Sequence, residues 1–221
     1  MNQYLTDIIS RMNDESDQIL ESGYNSSDTI SWKALREAEK IDNENYIPEL
    51  TEFIDSEKDK KKRDKAYFLL GHIAKNTNNT KATEYLIKRV EKETDKYIVS
   101  SLLNRISNLE KPNGIDLQPL INAIENNKWQ IRQSAIQSLK NAEDRIAEKA
   151  LIGILAVSED QYDLTYANAT LNNMGTVKAI PFLEKHLNSK KRDVKGSAKF
   201  AIESIKKRAE EESTTANKEL W

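Results

Sequence analysis

The feature that most constrains the fold of this chain is a three-residue apolar pattern that recurs every 31 to 36 residues. Each occurrence has a small or β-branched residue, an aliphatic residue four positions later and an apolar residue three positions after that. This spacing places all three side chains on one face of an α-helix. The five occurrences are Ala66, Leu70 and Ile73; Val99, Leu103 and Ile106; Ala135, Leu139 and Ala142; Ala167, Leu171 and Met174; and Ala198, Ile202 and Ile205.

A second apolar pair, with its members four residues apart, begins 13 to 16 residues before each of these patterns. A polar run separates the pair from the pattern, so each unit is predicted to be two short helices joined by a turn. One such hairpin cannot bury its own apolar face, whereas stacked hairpins form a continuous core. The pairs are Leu50 and Ile54, Leu86 and Val90, Leu120 and Ile124, Leu151 and Leu155, and Leu183 and Leu187.

The repeat also predicts how the chain is organised. Ala34, Ala38 and Ile41 match the pattern once more, 32 residues before Ala66, in a segment without other clear repeat features. Terminal repeats of an array are atypical because one of their faces meets solvent. We predict an N-terminal helical cap or degenerate repeat over 1–46, a repeat array over 47–208 and a fraying C-terminal tail over 209–221. The predicted fold is all-α, a right-handed α-solenoid of about five helical hairpins, with no β-sheet.

Composition excludes several kinds of chemistry. The chain has no Cys and only two His among its 221 residues, which argues against disulfides, thiolate chemistry and a zinc site. A Gly-rich phosphate loop and a nucleophile elbow are both missing from the sequence. We therefore predict no catalytic residue, no metal and no cofactor, and hence no enzyme.

The N-terminus lacks a basic start followed by an apolar run, which predicts a cytoplasmic protein that does not engage a membrane.

The units resemble HEAT repeats, in particular the short bacterial kind related to phycobilin-lyase repeats. The resemblance lies in the Ile-Pro-Glu-Leu of 47–50, the Ile-Pro-Phe-Leu of 180–183 and the Ile-Arg-Gln-Ser-Ala of 131–135. It covers about residues 45–208. A basic ladder accompanies it, three residues before the pattern, at Arg63, Lys96, Arg132 and Lys195. The resemblance implies a helical scaffold whose second helices line a concave inner face, but it implies no single function, because the family supports many tasks.

The side chains opposite the buried pattern predict a protein partner in the concave groove. They are rich in amides, with isolated aromatic residues, which suits protein recognition. The sequence leaves open whether two of those aromatics, Phe68 and Phe200, are exposed or tuck into neighbouring units. The predicted partner-binding residues form one strip of second-helix positions: Tyr97, Asn104, Arg105, Gln137, Lys140 and Asn173.

Uneven charge supports an alternative partner, nucleic acid. Residues 1–57 contain 14 acidic and 4 basic side chains, whereas 58–208 contain 29 basic and 18 acidic ones. Two basic runs fall in equivalent predicted turns and would contact phosphates there. A HEAT-like fold also hosts the alkylpurine DNA glycosylases of DNA alkylation repair, although the aromatic and Asp cluster of those enzymes is not evident here. The alternative nucleic-acid-binding residues are Lys60, Lys61, Lys62, Arg63, Lys190, Lys191 and Arg192.

Overall fold

The computed structural model describes residues 1–16 and 26–218, and over those ranges it is all-helical. No β-strand occurs in those ranges, and an isolated bridge joins Lys111 to Ala142. The predicted all-α fold is thereby confirmed. The α-helices of the described residues are α1 Gln3–Met12, α2 Ile30–Ala38, α3 Tyr46–Ser56, α4 Lys60–Thr77, α5 Thr80–Arg89, α6 Lys96–Ile106, α7 Gln118–Ile124, α8 Trp129–Ser138, α9 Arg145–Val157, α10 Gln161–Met174, α11 Ile180–Glu184 and α12 Arg192–Lys218.

The chain divides into two compact units. Unit 1 is Met1–Glu110 and unit 2 is Lys111–Trp221. In unit 1, α4 is central and contacts α1, α2, α3, α5 and α6. In unit 2, α10 contacts α8, α9 and α12. Each unit therefore has a row of second helices, α2–α4–α6 and α8–α10–α12, with the first helices packed against that row.

Aspartates at the ends of the polar turns determine where several second helices begin. The carboxylate of Asp59 accepts hydrogen bonds from the backbone N–H groups of Lys61 and Lys62 at the start of α4. Asp95 and Asp160 cap α6 and α10 in the same way. Such caps satisfy N–H groups that have no partner inside the helix, and their negative charge interacts favourably with the helix dipole. These turn aspartates thus set where α4, α6 and α10 begin.

The predicted apolar pattern forms the core. Its five sets and the first-helix pairs are buried, with two exceptions, Met174 and Leu187, which are half-buried. Leu187 lies in a 3-10 turn, Lys185–Asn188, because α11 ends at Glu184 and is the shortest α-helix of the described residues. Ala34, Ala38 and Ile41, which match the pattern upstream of the first full repeat, are buried as well. Periodicity alone therefore identified most of the side chains that hold the hairpins together.

The C-terminal segment differs from the predicted fraying tail, because α12 continues without a break to Lys218. Hydroxyl groups of Ser213 and Thr214 donate hydrogen bonds back to the carbonyl of Glu210. Lys207 and Glu211 form an ion pair one turn apart at 3.8 Å. Pairs with this spacing give modest support to an exposed helix.

Arg63 of the basic ladder joins two successive hairpins of unit 1. Its Nε and Nη2 donate to the Glu93 carboxylate at 2.9 and 3.1 Å, while Nη1 donates to the backbone carbonyls of the preceding turn, 57–58. Tyr67 Oη also donates to Glu93, at 2.8 Å, and Arg89 Nε donates to Tyr67 Oη at 3.0 Å. The Glu93 side chain is only 2% exposed, so this network is effectively internal.

Arg132 plays the same part in unit 2. Its Nε donates to Asp163 at 2.6 Å, Nη2 donates to Asp160 at 3.2 Å, and Nη1 donates to the carbonyl of Asn126 in the turn before α8. In both units an arginine therefore binds the turn of its own hairpin and an acid of the next hairpin. Two members of the basic ladder are thus structural connections between repeats.

Replacing Leu139 by Ala tests the predicted core. Leu139 is fully buried, so Leu139→Ala should lower the free energy of unfolding by about 2–5 kcal/mol, the usual range for truncating a buried leucine. Leu187→Ala, the same change at a half-buried position, should cost clearly less. Chemical denaturation followed by circular dichroism measures both. Equal losses for the two variants would show that the core is not organised around the repeated pattern.

Acidification tests the Arg63 network. Burial raises the pKa of Glu93, but hydrogen bonds from Arg63 and Tyr67 and the two nearby guanidinium groups outweigh burial, so the pKa lies below the ordinary glutamate value of 4.5. Stability from this group is therefore present above about pH 4.5 and is lost as pH falls through the lower folded-state pKa. Glu93→Gln should cost about 3–5 kcal/mol near neutral pH, because it leaves buried charges uncompensated.

The same denaturation measurements, made at several pH values, give the control for that variant. The difference in stability between the wild type and Glu93→Gln should shrink as pH falls below 4.5, where Glu93 of the unfolded chain becomes protonated, and should be smallest below the folded-state pKa, where Glu93 is neutral in both states. Glu211→Gln, at an exposed ion pair, should show almost no difference at any pH. A Glu93→Gln difference that is independent of pH would contradict the network.

Candidate functional site

A cavity of about 570 Å³ in unit 1 lies beside its row of second helices. Apolar side chains from three elements line it, namely Met12 of α1, Leu35 of α2 and Ile98 of α6. Polar and charged side chains from the first turns of α4 and α6 surround these apolar groups. Tyr97 is among them and presents its ring to solvent.

Tyr97 is the most exposed aromatic residue at this cavity. It stands in the first turn of α6, two residues after the capping Asp95, and 67% of its surface is exposed. The ammonium of Lys96 lies 4.8 Å from the ring centroid. Because the cap fixes the backbone of this turn, the ring is held at the cavity although most of its surface meets solvent.

Two further aromatic rings on the same row of helices form cation–π contacts with arginine side chains. The Arg36 guanidinium lies 5.4 Å from the Trp32 ring on α2. The Arg105 guanidinium lies 5.6 Å from the Phe68 ring, and its Nη1 donates to Asp64 at 2.8 Å. We define the α2–α4–α6 face by eight residues of these three helices, two of which, Asp64 and Tyr97, also line the cavity. The eight residues are Trp32, Arg36, Asp64, Phe68, His72, Tyr97, Asn104 and Arg105.

His72 belongs to this face and is held against Phe68, with the two ring centroids 4.5 Å apart. Burial lowers the pKa of His72 and outweighs the opposing effect of Glu39, while Lys75 and Arg105 lower it further. The imidazole is therefore neutral at physiological pH and offers one donor and one acceptor. Phe68, whose exposure the sequence left open, is half-buried by these neighbours.

Within unit 1, the predicted partner-binding residues all lie on α6. Asn104 is exposed, whereas Arg105 is half-buried and already bonded to Asp64. In unit 2, Gln137 lies on α8 and Lys140 just after it, both half-buried, and Asn173 lies exposed on α10. The Asn173 amide donates to the carbonyl of Ala169 in its own helix at 2.9 Å. The single strip predicted from the sequence stays a prediction.

The first basic run does not form a turn. Lys60, Lys61 and Lys62 make up the first turn of α4. Lys60 pairs with Asp95 at 2.7 Å, and Lys61 pairs with Glu15 at 2.5 Å. Arg63 completes the run but donates to the internal network described above. Much of the charge of this run is therefore compensated within the protein.

The second basic run lies at the start of α12 in unit 2. Lys190 and Lys191 are exposed in the turn, and Arg192 begins the helix with its side chain 96% exposed. Arg192 pairs with the adjacent Asp193 at 3.1 Å. Phe200, the second aromatic residue whose exposure was open, is 66% exposed on the same helix.

Several side chains at the unit 1 cavity were not predicted from the sequence, and two of them show why. One is Met12, which the packing of α1 against α2 and α4 brings to its wall. The other is Lys65, which neighbours Asp64 on α4 but falls outside the positions expected to face a partner. The contact of α1 with α4 joins segments far apart in sequence, so periodicity within one helix gives no signal for it.

The described ranges, 1–16 and 26–218, contain neither a metal-binding cluster nor a helix able to span a membrane. No group of three or more His, Asp or Glu side chains there is arranged to hold a metal ion. None of the helices in those ranges combines the length and the apolar character needed to cross a bilayer.

Comparison with known proteins identifies the fold. No protein-family model matches the sequence, and no curated protein matches it. Among solved structures, an engineered protein from a structural genomics consortium is 19% identical over 94% of this chain and 100% of that one, with a TM-score of 0.56. A designed armadillo repeat protein is 17% identical over 91% of this chain and 99% of that one, with a TM-score of 0.52.

A second designed armadillo repeat protein was solved in complex with the peptide (KR)4. It is 16% identical over 91% of this chain and 99% of that one, with a TM-score of 0.52. At such identities the likeness concerns the fold alone. The chain thus has the fold of a helical repeat protein, and the predicted α-solenoid is confirmed.

Proposed function

We propose that this chain is a non-enzymatic scaffold that binds a protein partner by holding an extended peptide segment on the α2–α4–α6 face. The observation that carries the proposal is the exposed Tyr97 ring at the edge of a 570 Å³ cavity with apolar walls. Tyrosine is enriched among the residues that dominate binding energy at protein interfaces. A cavity beside it can accept an apolar side chain of the partner.

The polar groups of this face suit a peptide backbone. Ser31 and Ser101 border the cavity, and Asn104 is exposed further along α6. Hydroxyl and amide groups both donate and accept hydrogen bonds, so they can satisfy the N–H and C=O groups of an extended segment. The ion pairs around them, such as Arg105 with Asp64, hold the face in one arrangement before binding. A preformed surface reduces the ordering cost of association.

The designed armadillo neighbour solved with a peptide supports this use of a helical repeat fold. We also propose that the repeats are of the short HEAT kind, on the sequence features at 47–50, 131–135 and 180–183. In unit 2, Gln137 lies on α8, Lys140 just after α8 and Asn173 on α10, and we propose the same kind of contact for them. Nucleic acid is the weaker candidate, because Lys60, Lys61 and Arg63 are bonded to acidic groups of the protein.

Tyr97→Ala tests the site. Peptides selected by the full chain from a random phage-displayed library serve as probes, and fluorescence anisotropy gives their dissociation constants. Tyr97→Ala should raise the dissociation constant at least tenfold, which corresponds to about 1.4 kcal/mol. The side chain is exposed and caps no helix, so the stability of the protein should hardly change.

Tyr162→Ala is the matched control for that measurement. Tyr162 also stands two residues after a capping aspartate, in the first turn of α10, and is 58% exposed. It lies in unit 2, outside the proposed face, and its loss should leave peptide affinity within about twofold of the wild type. Equal effects of the two substitutions, or no effect of Tyr97→Ala, would place the binding surface elsewhere.

A further inference from the structure

We infer that the segment bound on the α2–α4–α6 face is acidic and that Lys40, Lys65 and Lys75 receive its carboxylates. This inference rests on the proposed function and specifies the partner chemistry of the same site. It depends on which charges of the face are already paired within the protein and which are not.

Four of the acidic side chains around this face are paired with a cation of the protein, whereas a fifth, Asp14, lines the cavity and accepts hydrogen bonds from Ser16. Each of the four paired carboxylates would have to give up its own cation before it could bind a basic ligand. The pairs are Glu39 with Arg36 at 2.5 Å, Asp64 with Arg105 at 2.8 Å, Asp95 with Lys60 at 2.7 Å and Glu15 with Lys61 at 2.5 Å.

Three lysines near the same face have no such partner. Lys40, Lys65 and Lys75 form no ion pair with any acidic side chain in the part of the chain that the structure describes. Lys40 and Lys75 are exposed, and Lys65 is half-buried. The positive charge left over on this face therefore favours a ligand that brings carboxylates, since complementary charge aids both the rate and the specificity of association.

The positions of these lysines match the recesses that an extended segment would follow. Lys65 lines the 570 Å³ cavity beside Tyr97. Lys40 lines a second recess of about 480 Å³ together with Trp32 and Arg36. Lys75 lies one turn beyond His72 and is close enough to lower the pKa of that histidine. Apolar and aromatic contacts thus lie next to cations, which suits a segment that alternates acidic with apolar side chains.

The spacing of the lysines sets a minimum length for the segment. Lys65 and Lys75 are ten residues apart on α4, which is about 15 Å along a helix. An extended chain advances about 3.3 Å per residue, so roughly five residues reach from one ammonium to the other. Two acidic residues four to six positions apart are therefore expected in a tightly bound peptide.

A peptide fits the face better than a nucleic acid does. The carboxylates of Glu15, Glu39, Asp64 and Asp95 lie among the lysines. A nucleic acid carries a charge on every phosphate, and some of those charges would lie against these carboxylates. A peptide places its acidic side chains only where its sequence puts them, so it can match isolated cations and avoid the carboxylates.

Library selection with a charge-removing variant tests the inference. The full chain is expected to enrich peptides that contain two or more Asp or Glu together with an apolar or aromatic residue. In the variant Lys40→Gln, Lys65→Gln, Lys75→Gln, the dissociation constant of the best peptide should rise at least tenfold. The matched control replaces Lys81, Lys88 and Lys92 by Gln, an equal change of charge on α5 and the turn after it, and should change affinity less than threefold.

The possible outcomes separate this inference from the proposed function. Enrichment of neutral or basic peptides whose binding depends on Tyr97 would overturn the acidic partner and leave the scaffold standing. Acidic peptides that lose equal affinity in both lysine variants would overturn it too. Failure to enrich any peptide above a blank selection would overturn the proposed function and this inference together. A twelve-nucleotide oligothymidylate that binds more tightly than the best peptide, and loses affinity in the Lys40, Lys65, Lys75 variant, would favour nucleic acid instead.

Discussion

The α2–α4–α6 face depends on the hydrogen bonds that the guanidinium group of Arg63 forms. This group binds Glu93 of the next hairpin and the carbonyls of its own turn, so it fixes two successive polar turns together. With those turns joined, α4 lies beside α6, and Asp64 reaches Arg105 across the two helices. Breaking the Arg63 contact would therefore disturb the position of Tyr97 as well as the core. Stability and the proposed binding surface are coupled through this one side chain.

Polar groups have two separate tasks in this chain, whose mean hydropathy is -0.74. Some are buried in pairs, as Glu93 is with Arg63, where low exposure strengthens the attraction but makes any loss costly. Others form exposed pairs, such as Lys61 with Glu15, which contribute little to stability. Exposed pairs still influence binding, because they decide which charges remain for a ligand. The same count of charged residues would allow quite different partners if the pairing were different.

The repeat period predicted the fold because it depends only on local spacing. Sets such as Ala66, Leu70 and Ile73 lie on one helical stripe, and burial follows from stacking. The sequence predicted less about the site, since the half-burial of Phe68 and the role of Lys65 depend on contacts between helices. The basic ladder shows the same limit. Arg63 was grouped with the neighbouring lysines by charge, whereas its geometry makes it a bridge between hairpins.

A repeat fold separates the residues that determine its stability from those that determine its ligand. Leu139 is fully buried within its unit, whereas Tyr97 and Phe200 contribute almost nothing to a core. Each hairpin is stabilised mainly by its neighbours, so exposed positions on the second helices are free to vary without loss of the fold. This explains why structures with fewer than one fifth of residues in common share the architecture. It also means that the fold carries no information about the partner. That information lies in exposed aromatic rings and in cations that the protein itself leaves unpaired.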